Sequence, residues 1–134
     1  MPGLKFQVIT KIHLFISVVI VLLVSIYYGF FPDDLFRINP STIDEANQLK
    51  GTMGLYMAFA IFWTLALFRQ QFLKPALISH MLFMIGLGLG RSLSVILDGR
   101  PSQLLYFGVF GELLLGAYGL WVVINYHKIS SKWS

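Results

Sequence analysis

Two charged residues stand inside apolar runs of this chain, Arg91 and Glu112. Arg91 follows Gly86-Leu-Gly-Leu-Gly90 and lies about six residues before the turn Asp98-Gly-Arg-Pro101, whereas Glu112 lies about ten residues into the helix that follows that turn. At about 1.5 Å of rise per residue, the two sit roughly 9 Å and 15 Å from the same helix ends. So short a turn makes the two helices antiparallel neighbours, and a long arginine side chain reaches across to the carboxylate. Charges in hydrocarbon are costly unless paired or hydrated, so they mark a site by default.

Helical spacing extends the set. Glu112 shares a face with Gly108, Gly116 and Gly119, which points its carboxylate into the packing. Arg91 shares a face with Gly88, Ser94 and Asp98, a polar stripe running to the turn. Asn47 and Lys50 reach the same end from the preceding helix. Asn47, Lys50, Arg91, Asp98, Arg100 and Glu112 are therefore the candidate ligand-binding residues, expected to line one outward-facing pocket. Arg91 offers a bidentate fork to a phosphate or carboxylate. Glu112 is the candidate general acid or base of an alternative, catalytic reading, with Arg91 as electrostatic stabiliser. The simplest alternative to either is a clamp, because buried Arg–Glu pairs often fix which helices pack together.

Little else carries chemistry. The chain has no cysteine, which excludes disulfides, thiolate metal sites and thiol nucleophiles. His13 and His80 stand at similar depth near one end of their helices. Two such histidines can hold a haem, but neither has the glycine or arginine surroundings that a macrocycle and its propionates need. The common metal classes need more ligands. No cofactor and no metal is expected.

The elements that position these residues follow from composition. Of the 134 residues 57% are hydrophobic and 12% charged, with a mean hydropathy of +0.74. A soluble domain has about twice that charged fraction, so the solvent for most of this chain is lipid. Four apolar runs are legible, at approximately 12–31, 43–68, 76–97 and 103–126, each long enough to cross a bilayer. The first is too long for a signal peptide and lacks an Ala-x-Ala-like cleavage site. The expected fold is all-α, an integral membrane four-helix bundle forming a single domain.

Boundaries and packing faces can also be read. Pro32-Asp-Asp34 ends the first span, and two overlapping capping boxes, Ser41-Thr-Ile-Asp44 and Thr42-Ile-Asp-Glu45, start the second near Thr42. Asn47, Gly51, Gly54 and Ala58 form one small-residue face suited to close helix packing, and Gly86-x-x-x-Gly90 is an association motif for the bundle or for a second copy. Tyr27, Tyr28, Trp63, Trp121, Tyr126 and Trp133 fall where interfacial aromatic belts belong. The methionines at 53, 57, 81 and 84 read as packing filler.

The net charge of +4 does not point to nucleic acid, because its cations are spread singly between apolar runs. Lysine and arginine, unaccompanied by acids, occupy the N-terminal segment, the connector Arg69–Lys74 and the tail after Tyr126. The positive-inside rule then puts both termini in the cytoplasm and the 32–50 loop outside. Loops and polar residues of the two helical hairpins do not correspond, so an inverted-repeat transporter is not expected. Nor is a channel subunit, since the inner halves of the spans look almost wholly apolar.

Three segments give the chain a resemblance: Leu49-Lys-Gly-Thr-Met-Gly-Leu-Tyr56, Leu89-Gly-Arg-Ser-Leu-Ser-Val-Ile-Leu-Asp-Gly-Arg-Pro101 and Gly111-Glu-Leu-Leu-Leu-Gly116. With them the chain resembles the bacterial four-span membrane proteins of the domain-of-unknown-function family numbered 4345, over roughly residues 12–126. That pattern often carries arginine where this chain has Lys50, which keeps the charge and loses the fork. The resemblance implies a four-helix fold in the bacterial cytoplasmic (inner) membrane, and weight on Arg91, Asp98 and Glu112. It implies no activity.

The leading expectation is a non-enzymatic membrane protein, an accessory subunit or a binder of an anionic amphiphile at Lys50, Arg91 and Arg100. Its expected partners are membrane lipids, and another membrane protein or a second copy through the glycine faces. The alternative is a small intramembrane enzyme on a lipid-like substrate.

Overall fold

A computed structural model describes residues 3–133, which form helices and no strand. The helices are α1 (Leu4–Phe30), α2 (Pro32–Phe36), α3 (Ile43–Phe68), α4 (Leu73–Asp98), α5 (Gln103–Ile124) and α6 (Tyr126–Trp133), with a single 3₁₀ turn at Gln70–Phe72. Four of them, α1, α3, α4 and α5, are long and apolar enough to cross a membrane. Their 22 to 27 residues span roughly 33–40 Å, against about 30 Å of hydrocarbon. The all-α four-span architecture expected from composition is the one observed.

Local chemistry sets the ends. Pro32 cannot extend α1 and opens α2 instead. Thr42 Oγ1 accepts from the Glu45 amide at 3.1 Å while the Glu45 carboxylate accepts from the Thr42 amide at 3.3 Å, so the capping box is complete. Gly99 ends α4 at φ 102°, a backbone state that side chains disfavour, which is why the tight turn needs glycine there. Helix extends beyond the apolar runs at two places: α1 begins at Leu4, before the run that opens near residue 12, and the tail after Asn125 is a helix. The extra turns bury Phe6 and Ile129, and the Phe6 and Tyr126 rings meet edge-on at 5.8 Å. The side chain of Trp133 lies outside the described residues.

Packing divides the bundle into two hairpins, α1 with α3 and α4 with α5, each closely interlocked. Within the second hairpin the knobs are apolar and the holes are glycines. A Cβ on Gly88 would stand 2.6 Å from Leu113 Cδ2, and one on Gly116 would stand 2.7 Å from Ile85 Cγ1. Gly29 of α1 serves Met53 of α3 in the same way. Between the hairpins the ties are polar. Ser17 Oγ and His80 Nε2 lie 2.7 Å apart, Trp63 Nε1 donates to Ser79 Oγ at 3.0 Å, and Tyr118 Oη donates to the Ile9 carbonyl at 2.7 Å. In lipid such bonds serve as inter-helix glue, because apolar contact alone gains little over lipid contact.

Several sequence readings change here. The small face of α3 does not pack within the chain: Asn47, Gly51, Gly54 and Ala58 are exposed, and a Cβ on either glycine meets nothing. Gly86 and Gly90 are likewise exposed with open space beside them. The α4 notch is Gly88, one register step away. Trp63 is no belt residue either, being fully buried against α4 through its Ser79 bond. By contrast, Ile16, Ile20 and Leu23 of α1 and Leu114 of α5 are exposed, as a lipid-facing surface requires.

Candidate functional site

Arg91 of α4 and Glu112 of α5 do meet. Arg91 Nη1 donates to Glu112 Oε1 at 2.6 Å, with side-chain exposures of 22% and 13%. Gly108, one turn before Glu112, borders the guanidinium: a Cβ there would lie in ordinary contact with Arg91 Nη1, at 3.5 Å. The guanidinium also donates from Nη2 to Tyr28 Oη at 2.9 Å, which ties the pair to α1 across the seam between hairpins. Tyr28 is held in turn by stacking on Phe36 of α2, at 4.4 Å between centroids, and by an edge contact with Tyr56 at 5.7 Å. Glu112 Oε2 is buried and has no hydrogen-bond partner among the described residues.

Beside this triad is a cavity of about 220 Å³. Its walls are Ile20, Val21 and Val24 of α1, Leu35 and Phe36 of α2, Tyr56 of α3, Met84 and Leu87 of α4, and Leu104, Leu105, Gly108, Gly111 and Leu115 of α5. Only Tyr56, Arg91 and Glu112 bring polar atoms on their side chains. Ile20, Leu104 and Gly111 on its rim are exposed, so the mouth opens sideways between α1 and α5.

The other expected site residues lie elsewhere. Lys50 lines a second hollow of about 290 Å³ at the end of the bundle, with Asp33, Asp34 and Asn39. Asn47 is exposed near the start of α3. Asp98 accepts from Ser94 Oγ at 2.8 Å on an exposed face, and the Arg100 guanidinium covers the Tyr106 ring at 4.3 Å. The six do not form one pocket: Arg91 and Glu112 line the first hollow, Lys50 lines the second, and Asn47, Asp98 and Arg100 line neither. Tyr28 was missed for the opposite reason: a tyrosine at the end of an apolar span looks interfacial, and nothing in the spacing joins it to Arg91. The signal for Gly108 was present in its one-turn offset from Glu112.

This arrangement can hold a polar group by hydrogen bonds. A carboxylate held by arginine accepts hydrogen bonds, but no serine, threonine, cysteine or histidine lines the cavity to act as nucleophile.

No curated protein and no solved structure matches the chain. A family model does, described as a domain of unknown function (DUF4345), over residues 9–123. That match takes in nearly the whole of the four spans, the Arg91–Glu112 pair and every residue that lines the cavity, and the chain belongs to this family of four-span membrane proteins.

Proposed function

We propose that this is a non-catalytic membrane protein that takes a lipid-like amphiphile into the cavity between α1 and α5, with the polar end of the ligand at Glu112 and Arg91. The observation that carries this reading is a sideways apolar mouth leading to one satisfied and one unsatisfied carboxylate oxygen. Cavities of about 150 Å³ hold a benzene ring, so about 220 Å³ accepts a short length of chain rather than a whole lipid. The remainder of the ligand lies along the exposed rim in the bilayer.

The charge of the head group follows from the pair. Arg91 is answered by Glu112, while Lys50 and Arg100 stand away from the cavity. An anionic head would have to compete with Glu112, whereas a hydroxyl or amine would donate to the free Oε2. The ligand is therefore a hydroxyl- or amine-bearing amphiphile.

Gly111→Leu tests this without disturbing the fold, because a Cβ at Gly111 meets nothing and Gly111 lines the cavity. The parent protein, extracted in mild detergent, should carry a lipid visible by native mass spectrometry. The variant should lose at least tenfold of it at unchanged melting temperature. An empty parent protein, or equal occupancy in both, would rule the reading out.

The membrane placement belongs to the same proposal. Lys5, Lys11, Arg69, Lys74, Lys128 and Lys132 gather at one end without acids, and Asp33, Asp34, Asp44 and Glu45 at the other. In a bacterial inner membrane this sets both termini in the cytoplasm. The chain has no cysteine, so single cysteines are clean reporters. An impermeant maleimide added to intact spheroplasts should label Asp33→Cys and spare Lys128→Cys; the reverse result would invert the orientation.

A further inference from the structure

One end of the bundle, formed by the start of α1, the turn between α3 and α4, and α6, carries side-chain charge of one sign. Lys5 and Lys11 of α1, Arg69 ahead of the 3₁₀ turn, Lys74 of α4, and Lys128 and Lys132 of α6 stand there, with no aspartate or glutamate. Of the six acids in the chain, Asp33, Asp34, Asp44, Glu45 and Asp98 belong to the other end, and Glu112 is bonded to Arg91. We propose that this cationic end is a docking surface for the head groups of anionic phospholipids, separate from the lateral cavity.

Side-chain contacts gather the segments that bear these cations. Helix α6 lies against α1, with Ile129 buried and the Phe6 and Tyr126 rings edge to face at 5.8 Å. Gln70 Nε2 donates to Tyr126 Oη at 3.3 Å, and Lys74 Nζ stands 5.9 Å from the centre of the same ring. Lys11 Nζ donates to the Leu67 carbonyl at 3.0 Å, which ties α1 to the last turn of α3. The charges therefore come from segments bound to one another rather than from a loose basic tail. Such a surface meets its partner without first paying to order a mobile segment.

The neighbours of the cations name the partner. Leu4 is 80% exposed beside Lys5, Val8 is 52% exposed one turn on, and Phe68 is 81% exposed beside Arg69. Apolar and cationic side chains thus share the same turns. An acidic protein or a nucleic acid would leave those leucine, valine and phenylalanine surfaces in water. A membrane boundary satisfies both kinds, because long lysine and arginine stems run along acyl chains while their heads reach the phosphates. Arg69 can meet a phosphate with its planar fork, and the lysines meet it as point charges. A zwitterionic head group carries a compensating cation, so the surface selects lipids with net negative charge. The selection holds for either direction of insertion, since it depends only on which lipids border this end.

The test reconstitutes the full-length protein in phosphatidylcholine vesicles containing a trace of spin-labelled phosphatidylglycerol or spin-labelled phosphatidylcholine. Electron paramagnetic resonance then reads the fraction of each label held at the protein boundary. The parent protein should favour phosphatidylglycerol by about threefold or more at low salt, and most of that preference should vanish in roughly 0.5 M salt, where charges are screened within a few ångströms. Arg69→Gln, Lys74→Gln and Lys128→Gln together should abolish it. Lys50→Gln with Arg100→Gln, made where acids already offset the cations, should leave it in place. All five positions are exposed, so the fold is retained in both proteins. Gly111→Leu should not alter the preference, which separates this surface from the cavity. Equal association of the two lipids with the parent protein, a preference that survives the triple substitution, or one lost equally in the control pair would overturn the assignment.

Discussion

Arg91→Met should lower stability by about 3 kcal/mol, a fall of roughly 10 °C in melting temperature for a chain of this size. The substitution keeps much of the side-chain bulk and removes the charge. Glu112 is then left 13% exposed with neither oxygen bonded, because its Oε2 already lacks a donor. Breaking one partner out of a buried pair costs about 3–5 kcal/mol, and the partial exposure of Arg91 places this case at the lower end. The pair itself is worth less than that figure, since replacing both partners removes the stranded charge. Arg91→Met with Glu112→Leu should therefore recover to within about 1 kcal/mol of the parent. Thermal unfolding in detergent, followed by circular dichroism across the four-protein cycle, measures this. If the two single losses simply add, Arg91 and Glu112 do not act as a pair. Tyr28→Phe should cost only about 0.6 kcal/mol, the usual worth of one inter-helix hydrogen bond in a membrane.

Gly116→Leu should be at least as damaging, by about 3 kcal/mol or more, through a different cause. Even the first carbon would lie 2.7 Å from Ile85 Cγ1 and 3.1 Å from the Ile85 amide nitrogen. A side chain can rotate away, but a helix backbone cannot, so α4 and α5 must separate. Overpacking of this kind in a close-packed interior commonly costs about 1–3 kcal/mol per added group. Gly90→Leu, made on the exposed face of α4, should stay within about 0.5 kcal/mol, because a Cβ there meets nothing. Melting temperatures of the two variants decide which glycine register holds the hairpin. Equal losses would mean that the Gly86–Gly90 face is occupied too.

The contrast between these glycines shows where sequence reading succeeds and where it stops. Span number and type were legible because twenty-residue apolar runs leave lipid as the sole solvent, and two overlapping capping boxes placed the start of α3 near Thr42, of which the structure forms the Thr42–Glu45 one. The Arg91–Glu112 contact was legible because the short turn at Asp98–Pro101 forces its helices together. What spacing cannot tell is which of two small-residue registers faces inward. On α4 both Gly88 and the Gly86–Gly90 pair are available, and only the positions of Leu113 and Ile85 on neighbouring turns decide between them. Nor does it tell which distant helix answers a polar group. Tyr28 and Arg91 are 63 residues apart, as are Ser17 and His80. Those contacts depend on how the two hairpins dock, which local patterns do not encode.

The two-hairpin arrangement also means that each half is contiguous in sequence, α1 with α3 up to residue 68 and α4 with α5 from residue 73. Every side chain that bridges the seam therefore has its partner in the other half of the chain: Ser17 with His80, Trp63 with Ser79, Tyr28 with Arg91. The phenol of Tyr28 belongs to one half and the charge it holds to the other, so a single hydrogen bond joins the ion pair to the helix hairpin that contributes neither of its charges.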